Sequence, residues 1–215
     1  MVRAEAAIRE VSPLNWRPGS VDDLIGPAHR AAEALLAKAR RLRAGERGTM
    51  KVLLYGPPGV GKTTVAGMVA AELGGSPLAV DEVNGKLVTI EVVKGWMGSL
   101  ALGNLFSPWS VRIINELDRC TRDAQDLLLS YLDGLPPGRA MIGTSNLQLD
   151  LLTERFQTRF QAIKLLPPDT EEIAGLLSSR WDIDPATAAR IAVGSGGCVR
   201  AALADLESAV DLRGF

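Results

Sequence analysis

Two spacings of apolar residues divide this chain. Up to about residue 165, short apolar runs alternate with stretches whose apolar residues recur every three or four positions. The runs Val52–Tyr55, Leu78–Val83, Val111–Ile114, Arg139–Thr144 and Gln161–Leu165 read as strands. Helices are expected over Ala28–Arg43, over Thr64–Leu73 and over Thr121–Leu132, where Thr121 would cap the start and Asp133-Gly134 would stop the end. The stretch from Lys86 to Gly103 fits helix or strand by pattern alone. Past Asp169 only the helical spacing remains, over Thr170–Arg180, Pro185–Val193 and Val199–Leu212. Strands alternating with helices, then a helical tail, predict an α/β fold: a parallel five-stranded sheet with a C-terminal α-helical domain. Pro167-Pro168 marks the boundary, so residues 1–20 form an irregular arm broken by Pro13, Pro18 and Gly19, residues 21–166 a core, and residues 167–215 a small helical domain.

One junction in that pattern carries chemistry. Between the run Val52–Tyr55 and the next helix stands Gly56-Pro57-Pro58-Gly59-Val60-Gly61-Lys62-Thr63, followed by Thr64. A strand, a glycine-rich loop and a helix occur here in the order of a phosphate-binding P-loop. The glycines allow backbone angles closed to other residues, so several N–H groups can turn inward around one anion. The helix start adds the positive end of its dipole. Lys62 can reach the outer phosphates of a nucleoside triphosphate, and Thr63 can offer its hydroxyl to Mg²⁺.

Composition sharpens this by exclusion. The 24 Lys and Arg residues balance 25 Asp and Glu, so no global positive charge draws the protein onto nucleic acid, and any such binding must use a local patch. The basic end of the first helix (Arg40, Arg41, Arg43) reads as a solvated helix C-terminus. The aromatic residues Trp96, Phe106 and Trp109 are explained by core packing as well as by base stacking. Cys120 and Cys198 stand far apart without zinc-ligand spacing, so two reduced thiols and no zinc site are expected. His29, the single histidine, is assigned no role. No apolar run approaches membrane-spanning length, and the first residues lack the core of a signal peptide. A cytoplasmic protein without membrane contact is the expectation.

In an open α/β sheet the ligand sits beyond the carboxyl ends of the strands. There the second strand delivers Asn84, the third Asn115 and Glu116, and the fourth Asn146. Glu116 is the candidate to activate a water for hydrolysis, and Asn146 to hold that water or a γ-phosphate oxygen. Any one of these residues alone would read as a polar end to a buried strand; four around one P-loop read as a site.

The ordered set resembles an AAA+ ATPase of the clamp-loader group, similar to the small subunits of replication factor C and their phage counterparts. Arg17-Pro18 with Val21-Asp22-Asp23-Leu24-Ile25-Gly26 resembles that family's adenine-side motif, and Gly56 to Thr63 its Walker A. Glu82-Val83-Asn84-Gly85 resembles the second-strand motif, whose asparagine can restrain the catalytic glutamate. Asn115-Glu116-Leu117-Asp118 falls on Walker B, and Gly143-Thr144-Ser145-Asn146 on sensor 1. Gln157-Thr158-Arg159-Phe160 falls on the Ser-Arg-Cys motif, which makes Arg159 the candidate arginine finger, with Arg155 a second candidate. Gly196-Gly197-Cys198-Val199-Arg200 resembles sensor 2 and places Arg200 at the nucleotide. The resemblance implies ATP and Mg²⁺ as ligands, a homo- or hetero-oligomeric ring or partial ring with ATP between subunits, and loading or remodelling of partners on DNA.

The chain departs from that pattern. Asn115 replaces the Walker B aspartate that helps hold Mg²⁺ through a water; an amide oxygen can still accept from that water but brings no charge, so slower hydrolysis is expected. No segment here corresponds to the clamp-loader collar, to the winged-helix domain of branch-migration motors, or to the cysteine-based zinc module of some bacterial loader subunits. Asn115 keeps open a non-hydrolysing, ATP-binding structural subunit. An AAA+ remodeller of a protein substrate is a further alternative, and a small-molecule kinase a remote one.

Overall fold

In a computed structural model of the protein, residues 12–100, 102, 107–146 and 154–211 are described. The expectations for residues 1–11, Phe106, residues 151–153 and Leu212 lie outside them. Five strands form one parallel sheet in the order β2-β3-β4-β1-β5. They are β1 (Met50–Tyr55), β2 (Val80–Asn84), β3 (Ser110–Asn115), β4 (Arg139–Ser145) and β5 (Gln161–Lys164). The helices are α1 (Gly26–Arg43), α2 (Lys62–Gly74), α3 (Ile90–Gly98), α4 (Arg122–Asp133), α5 (Glu154–Gln157), α6 (Thr170–Arg180), α7 (Pro185–Gly194) and α8 (Val199–Asp211). The α/β class and the five parallel strands are those that the apolar spacing predicts.

Central strands β1, β3 and β4 are near-continuous apolar runs because parallel strands are covered on both faces. Leu53, Leu54, Ile113, Ile114, Met141 and Ile142 are all fully buried. Strand β2 lies at the sheet edge and is more polar, which is why its start is hard to read. It begins at Val80 rather than Leu78, because Ser76 caps a short 3₁₀ turn with Pro77 at its first position. The ambiguous stretch after β2 resolves as helix α3, capped by Thr89 and packed against α4. A half-buried arginine ties them to the sheet: Arg112 of β3 donates to the Tyr131 hydroxyl of α4 (2.7 Å) and to Ser99 Oγ, just past α3 (2.9 Å). Its guanidinium also lies over the Trp96 and Tyr131 rings. Trp96 and Trp109 are buried, which favours the packing reading of both.

The chain divides into two compact units that are not contiguous in sequence. One holds residues 31–56 and 62–165, hence the sheet and helices α2 to α5. One buried cluster in it joins Leu53, Trp96, Ile114, Leu117, Leu128, Tyr131, Leu132, Met141, Phe156 and Phe160. The other holds residues 1–30, 57–61 and 166–215. Within it the three C-terminal helices pack around Ile173, Leu177, Trp181, Ile191, Ala202 and Leu206, and Trp16 completes the cluster edge-on to Trp181 at 5.6 Å. Ser12 donates to Glu207 (2.6 Å), and Arg180 pairs with Asp23. Residues 12–25 are thus folded onto the C-terminal helices.

The basic end of α1 is tied down as well as solvated: Arg43 donates to the Glu72 carbonyl (3.0 Å) and Arg40 to the Glu72 carboxylate (3.3 Å), while Arg41 pairs with Glu46. Cys120 is buried and Cys198 half-buried, and both are free thiols; burial pushes Cys120 up to about 12. No helix among the described residues is long and apolar enough to cross a membrane.

Removing a buried side chain from the cluster around α4 should be costly. Leu128→Ala is expected to lower unfolding free energy by about 2–5 kcal/mol. Leu78→Ala, at a site 67% exposed, should change it by less than about 0.5 kcal/mol. Chemical denaturation of the two variants checks the difference.

Candidate functional site

The P-loop leaves β1 at Tyr55 and enters α2 at Lys62. Gly56 has φ +143°, and a Cβ there would collide with the Leu165 carbonyl oxygen, so no other residue fits between β1 and the chain beyond β5. Gly59 has φ +77°, the left-handed region that glycine enters without cost. A Cβ on Gly59 would meet the Cys198 thiol, and it would lie 3.4 Å from Arg200 Cβ at the start of α8. Lys62 is buried and donates to the Gly56 carbonyl at 2.8 Å. A desolvated ammonium at the first residue of a helix fits an anion such as a polyphosphate. Pro57, Pro58, Val60, Gly61 and Thr64 occupy the places expected of them in the loop and the first turn of α2, and Val60 is buried.

Beside Thr63, the ends of β2, β3 and β4 form a connected polar network. Thr63 Oγ1 donates to Asn115 Oδ1 (3.3 Å), and so does Thr144 Oγ1 (3.2 Å). Thr144 Oγ1 in turn accepts from the Glu116 N–H (3.1 Å). Asn115 Nδ2 donates to Glu82 Oε1 at 2.5 Å. Glu116 is the only non-glycine residue with positive φ among the described residues, at φ 56°, ψ 51°. Such a conformation persists only where its surroundings over-determine it. Here they do: Thr144 takes its N–H, and Gly85 packs so closely on its carbonyl that a Cβ would overlap the oxygen.

The left-handed turn aims the Glu116 carboxylate back toward β2. Asn84 Nδ2 donates to Glu116 Oε2 at 3.2 Å, and Arg119 donates to the same oxygen at 3.1 Å. Asn84 is itself oriented, because its Oδ1 accepts from the Lys86 N–H (3.1 Å). The Asn84 hydrogen bond, with Arg119 next, holds the Glu116 carboxyl below the usual glutamate range. The acid is therefore ionised at neutral pH, with its Oε2 taken by two donors. Asn146 follows β4 at an exposed position, its backbone N–H donating to Asp118 (3.3 Å).

Arg17 is exposed and donates to the Leu14 and Trp16 carbonyls, both at 2.8 Å. Pro18 follows it, and Ile25 packs against the Trp16–Ile173 cluster. Arg200 is an exposed residue at the second position of α8. Arg159 is not joined to the P-loop network. It forms a two-pronged pair with Asp133 (2.8 Å on both arms), and its third nitrogen donates to the Arg155 carbonyl (3.1 Å). Helix α5 stops at Gln157, so Arg155 and Arg159 do not share a continuous helical face. Sequence reasoning missed Glu82, Arg119, Thr144 and Asp133 as partners in this chemistry. Thr144 and Glu82 stood inside quoted motifs, but no spacing rule told which of their neighbours they touch.

Residues 52–168, more than half of the chain, match the family described as "ATPase family associated with various cellular activities (AAA)". The chain belongs to this family. It is 30% identical, over 93% of its length, to the replication-associated recombination protein A of Bacillus subtilis, and covers 48% of that protein. It is 30% identical, over 74% of its length, to replication factor C small subunit 2 of Pyrobaculum arsenaticum, again covering 48%. Among solved structures, a RuvB variant of Thermotoga maritima superposes with a TM-score of 0.70 at 26% identity, over 89% of this chain and 63% of that one. The resemblance to the clamp-loader group of AAA+ proteins therefore holds, although the chain spans about half the length of the curated relatives it matches.

The Arg159–Asp133 pair gives a pH signature. Its hydrogen bonds hold the Asp133 carboxyl below the usual aspartate range. A lowered acid stabilises the fold above its ordinary value, and that contribution disappears as pH falls through the lowered one. Arg159→Ala should return Asp133 to the ordinary aspartate range in a carboxyl-detected NMR titration. An unchanged titration would mean that the two are not paired in solution.

Proposed function

We propose that this chain is an ATP-hydrolysing AAA+ subunit, acting between copies or partners to load or remodel proteins on DNA in replication, recombination or repair. The observation that carries the reading is the Glu116 carboxylate, held by Asn84 and Arg119 after a left-handed backbone at the end of β3, next in sequence to the Asn115 that accepts from Thr63. A phosphate-binding loop alone fits many reactions; a held carboxylate at this strand end fits water activation. The names of the relatives speak of replication, recombination and subunits, and they support the DNA and assembly parts.

In this reading residues 1–20 are the arm with the adenine-side motif, residues 21–166 the nucleotide-binding core and residues 167–215 the helical lid. Arg17, Pro18 and Ile25 serve the base side. The loop from Gly56 to Gly61 and Thr64 cradle phosphate oxygens, and Lys62 neutralises their charge. Thr63 and, through a water, Asn115 would hold Mg²⁺. An ion held there would supply positive charge against the negative charge that develops on the phosphate in the transition state. Glu116 must leave Asn84 and Arg119 before it can take a proton from water, so these two residues set the resting state. Asn146 orients the water. Arg200 draws the lid toward the phosphates. Arg159 leaves Asp133 to act on a neighbouring subunit's nucleotide, where such an arginine can be worth orders of magnitude in rate.

A second reading, an ATP-binding scaffold without turnover, is favoured by Asn115 alone. One experiment separates the two: ATP turnover measured across protein concentration, with and without primed DNA. Turnover per chain should rise with concentration and rise further with DNA, and Lys62→Ala should abolish it. Turnover independent of concentration would contradict the shared site. ATP binding without turnover at any concentration would establish the scaffold.

A further inference from the structure

The Walker B position holds an amide where the pattern calls for a carboxylate, yet a carboxylate touches that amide. Glu82 Oε1 accepts from Asn115 Nδ2 at 2.5 Å, and Asn115 Oδ1 accepts from Thr63 Oγ1 at 3.3 Å. The strands make the approach possible. In the parallel ladder Glu82 stands opposite Ile113 and Asn84 opposite Asn115. Side chains two residues apart on a strand share a face, so Glu82 lies one step back along the face from which Asn84 reaches Glu116. Asn84 is engaged by Glu116 and by the Lys86 N–H, which leaves Glu82 as the β2 side chain that meets Asn115.

Hydrogen-bond chemistry fixes which way the Asn115 amide points. An ionised carboxylate only accepts, so the Asn115 NH₂ must face Glu82. On the other side, Thr144 already accepts from the Glu116 N–H and has its hydroxyl proton to give. The amide oxygen must therefore face Thr144 and Thr63. Without Glu82, nothing on the β2 side would distinguish the two amide orientations, and one of them would turn an NH₂ toward Thr63.

We propose that Glu82 is the positioning residue of the Mg²⁺ side of this site: it locks the Asn115 oxygen toward Thr63 and supplies, one residue removed, the negative charge that Asn115 lacks. The proposal rests on the reading above that Thr63 and Asn115 face Mg²⁺. It converts the apparent weakness of Asn115 into a relocated charge. A carboxylate acting at roughly twice contact distance through a half-exposed amide retains a Coulomb effect of about tenfold or less on cation affinity.

The test is equilibrium binding of a fluorescent ATP analogue, titrated with Mg²⁺ and repeated in EDTA, alongside thermal melting of the nucleotide-free protein. Four chains are compared: wild type, Glu82→Gln, Asn115→Asp, and the double Glu82→Gln/Asn115→Asp. Glu82 is exposed, so its replacement leaves the fold intact, as melting will verify. Glu82→Gln should weaken the Mg²⁺-dependent gain in affinity about 3- to 10-fold while leaving affinity in EDTA unchanged or tighter. Asn115→Asp alone sets two carboxylates in contact and should lower the melting temperature of the nucleotide-free protein. The double variant should recover both the melting temperature and the Mg²⁺-dependent gain, which a merely structural role for Glu82 would not produce. A Glu82→Gln variant with the wild-type Mg²⁺ response, or a double variant no better than Glu82→Gln, overturns the proposal. Wild-type protein that binds no nucleotide overturns the ATP reading as well, and so separates the two failures.

Discussion

A single backbone conformation organises the candidate site. Glu116 sits in the left-handed region, and three neighbours keep it there: Thr144 accepts its N–H, Gly85 leaves room for its carbonyl, and Leu117, fully buried, anchors the turn that follows. Without that turn a residue directly following β3 would continue along the strand direction, past Asn84. With it, the carboxylate bends back to Asn84 and Arg119. The same Thr144 hydroxyl donates to Asn115 Oδ1, so the conformation of Glu116 and one of the two anchors of the Asn115 amide share one oxygen, the other anchor being Glu82. Strain at one residue is thus offset by a network spanning three adjacent strands, the arrangement expected where function needs a carboxylate that cannot drift.

The network also shows how charge is distributed when one expected charge is missing. Asn115 is neutral, but it lies between Glu82 and Thr63. Arg119 and Asn84 share one oxygen of Glu116. Arg159 is matched by Asp133. In this structure of a single chain the principal charged groups proposed to act in turnover, Glu116 and Arg159, are each satisfied by an internal partner. These exposed pairs are worth little in stability, so each can be exchanged for a nucleotide or a neighbouring chain at small cost. That is a physical basis for activity that depends on assembly.

Most of the architecture was legible from spacing. Buried parallel strands are apolar throughout, so β1, β3 and β4 announced themselves, and strong caps such as Thr121 located helix starts. The edge strand was shifted because Ser76 and Pro77 favour a turn that apolar count ignores. The stretch after β2 was ambiguous because Arg112, from another strand, decides its packing by holding Ser99 and Trp96. The P-loop and the polar strand ends could be read because glycine and a polar residue after an apolar run have local causes. Glu82, Arg119 and Asp133 could not, since their roles depend on which residue lies beside them across strands or turns. The attachment of Trp16 to the C-terminal helices was likewise a long-range packing fact with no local signature.

The central claim is that the carboxylate held by this turn is the group that activates water. The most direct measurement compares wild-type protein with Glu116→Gln, reading ATP binding and single-turnover hydrolysis on the same samples. Removing a general base costs roughly 10²- to 10⁴-fold in rate, so Glu116→Gln should bind ATP as wild type does and lose turnover by that order. Undiminished hydrolysis by Glu116→Gln would contradict the account.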